Sequence, residues 1–215
     1  MSRLDSLQQE VLDAFFEREQ RFFLTGGAAL AGFHLKHRET KDLDFFTTED
    51  CIEQGAAALE LVARDLGGSL ESLIAAPTFR RYLLRRGSSS VVVELVMDFA
   101  PQIAPSKVLF GKVRIDPPAE ITANKLCTLL SRAEIRDLVD LRALEAAGYS
   151  VEDHLPLAAQ KDGGLTPGQL AWVLSQIQIG DDARIPGEVS AAQLREYLAD
   201  LESRLTKMAF PEATV

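Results

Sequence analysis

Three residues, Asp42-Leu43-Asp44, carry the clearest chemical signal in the chain. On a strand, successive side chains alternate between faces, so the two carboxylates project together while Leu43 points away. Neighbouring carboxylates repel each other and become tolerable when a divalent cation sits between them. Magnesium prefers hard oxygen ligands and typically takes one or two carboxylates plus substrate phosphates. Taken alone, the triplet also fits a solvated strand end. Asp98 adds weight, because it sits in the apolar run Glu94-Leu95-Val96-Met97-Asp98-Phe99, where a core strand would usually carry no acid. Burying a lone carboxylate is expensive, so Asp98 needs a partner or a metal. Beside Asp42 and Asp44 it would complete a two-metal phosphoryl-transfer site. Glu94 lies on the same strand face and competes for that third place. A strand-end carboxylate bonded to the turn before Pro101 is the plainer reading of Asp98.

Thr25-Gly26-Gly27-Ala28 is the second element. Backbone free of side chains lets phosphate oxygens approach the amides, and a helix N-terminus favours anions. A simple tight turn accounts for the same residues. Further along, Lys125 and Arg132 are spaced to share a helix face, with Arg136, Asp137 and Asp140 close behind. A Lys buried along its stem can reach a triphosphate with its ammonium, whereas an ordinary solvated face would pair Arg with Asp.

The elements that must position these residues can be read from periodicity. Residues 4–18 predict an amphipathic helix. Residues 22–25 predict a short strand, broken at Gly26-Gly27, with helical spacing resuming over 28–36. Residues 43–47 predict a second strand, and Thr48 a cap for a helix over 52–66 that Gly67-Gly68 ends. Residues 79–85 and 91–99 predict a hairpin around 87–90, and 108–115 a smaller one folded at Gly111. After Pro117-Pro118 the strand signals stop. Residues 120–131, 134–147, 166–177 and 190–208 all predict helices, with Gly148 closing the second and Thr166-Pro167 opening the third. The expectation is an α+β protein, with a mixed α/β region over 1–117 followed by a helical region over 118–215.

Composition bounds the rest. The chain has 215 residues, 47% hydrophobic and 26% charged, which suits a globular protein with a sizeable core. Its net charge of −9 lowers the expectation of general nucleic-acid binding, which needs local positive charge. Two cysteines, Cys51 and Cys127, stand in no close Cys or His pairing, so no zinc site is expected. Residues 1–5 lack a basic segment leading into a long apolar run, and no stretch is apolar for the ~18 residues a membrane span requires. A soluble, cytoplasmic protein is expected.

Taken together, Leu24-Thr25-Gly26-Gly27-Ala28-Ala29-Leu30 followed by His37-Arg38-x-x-x-Asp42-Leu43-Asp44-Phe45-Phe46 resembles the AbiEii/AbiGii toxin family of nucleotidyltransferases. That family lies within the polymerase-beta-like nucleotidyltransferase superfamily. The resemblance continues through Val96-Met97-Asp98, through residues 125–132, and through Arg136-Asp137-Leu138-Val139-Asp140. It spans roughly residues 22–144, and residues 149–215 carry no matching motif.

The resemblance implies a polymerase-beta-like core, a mixed sheet flanked by helices, with a helical C-terminal region contributing to the active site. It implies that Thr25, Gly26 and Gly27 hold a nucleoside triphosphate. Asp42, Asp44 and Asp98 would bind magnesium, with Asp98 also orienting or deprotonating the acceptor hydroxyl. Lys125 would contact the phosphates with help from Arg132. Asp137 would hold the active-site helices or touch substrate. The reaction implied is transfer of a nucleoside monophosphate to an acceptor, with pyrophosphate leaving. The superfamily often has Gly-Ser where this chain has Gly26-Gly27, so a serine contact to phosphate is missing.

The acceptor stays open, with a toxin-like enzyme acting on RNA (transfer RNA) or protein the leading expectation. Some members of the family are toxins paired with an antitoxin, and some modify transfer RNA. Lys36, His37, Arg38 and Lys41, with Arg80, Arg81, Arg85 and Arg86 on the hairpin, are candidates for a local RNA groove in an acidic protein. A small-molecule acceptor, as in antibiotic-modifying enzymes, and a non-catalytic nucleotide-binding relative are the alternatives.

Overall fold

The computed structural model describes residues 3–211. Met1 and Ser2, which begin the stretch read for a secretory signal, lie outside the described residues, as do residues 212–215. The chain divides into two compact units, one of residues 1–99 with 104–117 and the other of 100–103 with 118–215.

The first unit runs α1 (Ser6–Arg18), β1 (Phe23–Thr25), α2 (Gly26–Ala29) continuing as a π-helical turn (Leu30–His34), β2 (Asp42–Thr47), α3 (Ile52–Asp65), β3 (Ser69–Ala76), β4 (Phe79–Arg86), β5 (Ser89–Met97), β6 (Val108–Phe110) and β7 (Val113–Ile115). The strands form one seven-stranded mixed sheet in the order β3-β4-β5-β2-β1-β7-β6. β1 is antiparallel to β2 and parallel to β7, and β2 is parallel to β5.

One face of this sheet carries the core. Leu43 and Phe45 of β2 are fully buried, as are their register partners Val93 and Leu95 on β5. Phe45 stacks on Phe15 of α1 with ring centroids 4.5 Å apart. Helix α3 presses on the same face at Gly55, where a Cβ would stand 2.6 Å from the Phe22 ring. Each such aromatic contributes about 1.5–3 kcal/mol by leaving water, so this face fixes the register of β2. Because side chains alternate, Asp42, Asp44 and Phe46 turn to the opposite face, where they are half-buried.

Several local features differ from the sequence reading. Helix α1 starts at Ser6 behind a capping box, in which Asp5 accepts from the Gln8 amide and Gln8 returns the bond. The helix after β1 begins at Gly26 itself. Thr48 does not cap α3: the N-cap is Cys51, without a side-chain bond. The neighbouring Thr47 organises that turn, its hydroxyl accepting from the Glu49 amide at 3.1 Å and lying 3.3 Å from Cys51 Sγ. The β4–β5 connection is a two-residue turn, with Arg86 opposite Ser89, and β5 ends at Met97, short of Asp98 and Phe99.

Strand β3 had no sequence signal. It is an edge strand, exposed along most of its length, and its register slips between Ser72 and Ile74. The slip interrupts the two-residue alternation by which a strand is recognised.

The second unit is helical: α4 (Pro118–Ser131), α5 (Ile135–Ala146), α6 (Val151–Lys161), α7 (Pro167–Ser175) and α8 (Ala191–Ala209). Leu126, Leu129, Leu138, Leu141, Leu170, Leu194 and Leu201 lie at the centre of its core. Ser150, Thr166 and Ser190 cap α6, α7 and α8 with their side chains. Helix α6 was not expected, because Pro156 within it reads as a breaker. Burial of Val151, Leu155 and Ala158 on one face, with the Ser150 cap, holds the helix despite the lost amide.

Candidate active site

In the sheet unit, the β1–β2 pairing sets Thr25 opposite Asp44. Directly opposed residues of an antiparallel pair share a face, so the Thr25 hydroxyl and the Asp44 carboxylate lie on the side of the sheet away from α1. Thr25 is 3% exposed, and its Oγ1 is buried without a hydrogen-bond partner among the described residues. Buried polar atoms are normally satisfied, so an orphaned hydroxyl calls for an explanation.

The chain turns at Gly26 with φ of 63°, and a Cβ there would stand 2.5 Å from Asp44 Oδ2. Glycine is therefore required twice, by the left-handed backbone and by the carboxylate. At Gly27 a Cβ would stand 2.5 Å from a terminal guanidinium nitrogen of Arg38. Arg38 is 5% exposed and also donates to the Glu39 carbonyl at 2.9 Å. It thus brings a buried positive charge against the glycine turn. The sequence reading placed Arg38 in an RNA-facing patch; its position four residues before Asp42 was the signal that it belongs to the turn. The π-helical turn that follows closes with the Leu35 amide donating to the Leu30 carbonyl at 2.8 Å.

The parallel β2–β5 register aligns Asp44 with Glu94 and Asp42 with Val92. Glu94 therefore shares the face of Asp42 and Asp44, and it pairs with Arg81 at 2.7 Å. Asp98 is not brought to the pair. It follows the last residue of β5, its amide donates to the Thr47 carbonyl at 2.8 Å, and it lies four residues beyond the register partner of Asp44. At about 3.3 Å per residue that is roughly 13 Å along the strand. Among the described residues, no group of three or more His, Cys, Asp or Glu side chains is set to hold a metal ion. Two half-buried carboxylates on one strand face still fit magnesium, which rarely uses an all-protein cage.

In the helical unit, Lys125 on α4 and Asp137 and Asp140 on α5 form a buried ion cluster. Lys125 Nζ lies 2.8 Å from Asp137 Oδ1 and 2.6 Å from Asp140 Oδ2. Burial opposes the charge on Lys125, but the Asp140 and Asp137 carboxylates outweigh it and hold the ammonium above its ordinary range. Burial likewise opposes ionisation of Asp137, and Lys125 with Arg132 overcomes it, so this carboxyl stays below the usual range. Arg132 Nε donates to Asp137 Oδ2 at 3.2 Å after the chain closes α4 at Ala133, with φ of 46°. The Lys125 ammonium is thus committed to two carboxylates, whereas Arg132 keeps 45% of its side chain exposed. Asp140 was noted in the sequence only as a neighbour; its burial reveals it as a full partner of Lys125.

The four hairpin arginines do not form an open basic groove. Arg80 pairs with Glu53, Arg81 with Glu94, Arg85 with Glu71 and Arg86 with Glu10. No helix among the described residues is long and apolar enough to cross a membrane.

A glycine turn facing a paired-aspartate strand in a mixed sheet is the arrangement of a nucleotidyltransferase. The chain matches the family described as "Nucleotidyl transferase AbiEii toxin, Type IV TA system" over residues 10–211, and it belongs to that family. A search of curated proteins finds no match. Among solved structures, JHP933 from Helicobacter pylori has a TM-score of 0.59 at 22% identity, covering 94% of this chain and 92% of that one. MenT4, a nucleotidyltransferase toxin from Mycobacterium tuberculosis H37Rv, has a TM-score of 0.55 at 17% identity, covering 93% of this chain and 85% of that one. At these identities the likeness is one of fold.

Proposed function

We propose that this nucleotidyltransferase is magnesium-dependent, moves a nucleoside monophosphate from a triphosphate to an acceptor hydroxyl on RNA, and acts as a toxin held in check by a cognate antitoxin. The observation that carries the catalytic part is the apposition of the Thr25–Gly26 turn and the Asp44 carboxylate. The amides of Gly26 and Gly27 and the orphaned Thr25 hydroxyl bind the triphosphate, with Arg38 adding positive charge behind the turn. Asp42 and Asp44 would hold magnesium, which would supply charge neutralisation at the transferring phosphoryl group. The acceptor oxygen forms a bond to the α-phosphorus as the bond to the pyrophosphate oxygen breaks. The hydroxyl proton passes to a carboxylate on the same face, and the register favours Glu94 over Asp98 for that place. In the helical unit, Arg132 is the cation with exposure enough to meet a phosphate, while Lys125, Asp137 and Asp140 lock α4 to α5.

The toxin and antitoxin part rests on the family description, and MenT4 is itself described as a toxin. A small-molecule acceptor is the second reading. The net charge of −9 and the pairing of all four hairpin arginines favour it.

The test is incubation with magnesium, total transfer RNA and each of four labelled triphosphates, beside an Asp42→Ala/Asp44→Ala control. Label on RNA that disappears in the control supports the reading. Pyrophosphate release that depends on a hydroxylated small molecule and never labels RNA replaces it with the second.

A further inference from the structure

The helical unit holds a groove of about 1050 Å³ that none of the residues assigned above explains, Arg132 apart. That volume is at the top of the roughly 300–1,000 Å³ usual for small-molecule pockets. Its floor is apolar, with Ile135 and Ile177 packed on the unit's core. Its walls carry Arg132, Arg136 and Arg184 against the single carboxylate of Glu134.

Two wall residues are uncommitted. Trp172 projects from α7 with 67% of its surface exposed. Arg184 is exposed and has no hydrogen bond or ion pair among the described residues. An exposed indole face beside a guanidinium group can take a stacked ring. Arg136 is paired with Glu134 at 2.7 Å and Arg132 with Asp137 at 3.2 Å, so in a chain of net charge −9 Arg184 is the groove cation that an incoming anion can meet without breaking a pair.

We propose that this groove binds an unpaired stretch of RNA, with a base stacked on Trp172 and a backbone phosphate on Arg184. Aromatic faces beside cations are the chemistry that grips single strands, because every base offers a π face and every linkage a charge. Gln178, also on the wall, can meet a base edge. An acidic peptide would satisfy the arginines but leave the indole face without a matching ring. The inference deepens the RNA reading above and depends on it only for the fate of the bound strand.

Trp172 is the one tryptophan in the chain, so its fluorescence reports on this groove alone. The probe is an eight-nucleotide unstructured RNA titrated into the full-length protein. Expected is quenching of the emission, with affinity falling as salt rises. Arg184→Gln should lower the magnitude of the log–log salt slope by roughly 0.7–1. Trp172→Ala, followed by anisotropy of labelled RNA, should weaken binding by roughly five- to a hundred-fold, and Trp172→Phe should restore most of it. Asp42→Ala/Asp44→Ala should bind the RNA as the unaltered protein does. Absence of transfer by the unaltered protein, with RNA binding intact, therefore counts against the catalytic reading and leaves this one standing. RNA that leaves Trp172 emission unchanged, or that binds Trp172→Ala and Arg184→Gln with unaltered affinity, overturns the proposal. Quenching by polyglutamate and not by RNA also overturns it and reassigns the groove to an acidic protein partner.

Discussion

Gly26 and Asp44 stand so close that a single Cβ on residue 26 would lie 2.5 Å from Asp44 Oδ2. The contact ties the end of β1 to β2 across the antiparallel pair and leaves the carboxylate beside the turn's backbone. Gly26→Ala would both strain a backbone at φ of 63° and push the carboxylate away. The expected loss is about 1–2 kcal/mol of stability, read by urea unfolding. Transfer should fall by roughly 100-fold, as for a displacement of about 1 Å at a reacting centre. A fully active Gly26→Ala protein would remove the turn from the site.

Thr25→Val separates ligand binding from folding. The valine is β-branched, fits the strand and removes a buried hydroxyl that has no partner. Leaving a polar group unsatisfied costs about 1–3 kcal/mol, so the variant should be as stable as the unaltered protein or more so. Its affinity for nucleoside triphosphate should nevertheless drop by roughly tenfold, the worth of about 1.4 kcal/mol in one hydrogen bond to a charged group. Calorimetric melting and nucleotide titration check the two halves. A destabilised variant with unchanged nucleotide affinity would make Thr25 purely structural.

Glu94→Gln and Asp98→Asn decide the third carboxylate. The register puts Glu94 beside Asp44 and leaves Asp98 past the end of β5. The expected outcome is a fall in turnover of roughly 100-fold for Glu94→Gln, in the range of a lost general base. Asp98→Asn should stay within a few-fold of the unaltered protein. Because Glu94 also holds Arg81, Arg81→Gln is the control that removes the ion pair and keeps the carboxylate.

The Lys125 cluster predicts a dependence of stability on pH at both ends. The Lys125 pKa is raised, so its contribution is complete below the ordinary lysine value near 10.4 and is lost as pH climbs through the higher folded value. The Asp137 pKa is lowered, so its contribution is present above the ordinary aspartate value near 3.9 and is lost as pH falls through the lower folded one. Lys125→Met removes the ammonium shared by the buried Asp137 and Asp140 carboxylates, leaving Arg132 on Asp137, and should cost about 3–5 kcal/mol. Urea unfolding of the native protein and of Lys125→Met across pH checks this, and the alkaline loss should vanish in the variant.

Much of the geometry of these residues was legible because it is local. The paired aspartates, the glycine turn and the order of motifs are short-range patterns, and strand alternation alone puts Asp42 and Asp44 on one face. Which acid aligns with Asp44 was not legible, since Glu94 and Asp98 differ only in how β5 registers against β2. That register depends on Phe45 meeting Leu95 beneath α1, a long-range packing choice. The pairing of Lys125 with Asp137 and Asp140 was not legible for the same reason: it exists only once α4 lies against α5.

By itself, then, the sequence determined the chemistry-bearing residue types, the family, the α+β character and the break near Pro117-Pro118. Tertiary structure alone decided which acid stands beside Asp44, that Arg38 is buried behind the Gly27 turn, that the hairpin arginines are spent on ion pairs, and that Trp172 and Arg184 face one groove. The physical reason is range. Propensity and alternation act over a few neighbouring residues, whereas register, burial and ion pairing are settled by side chains distant in the chain competing for the same space.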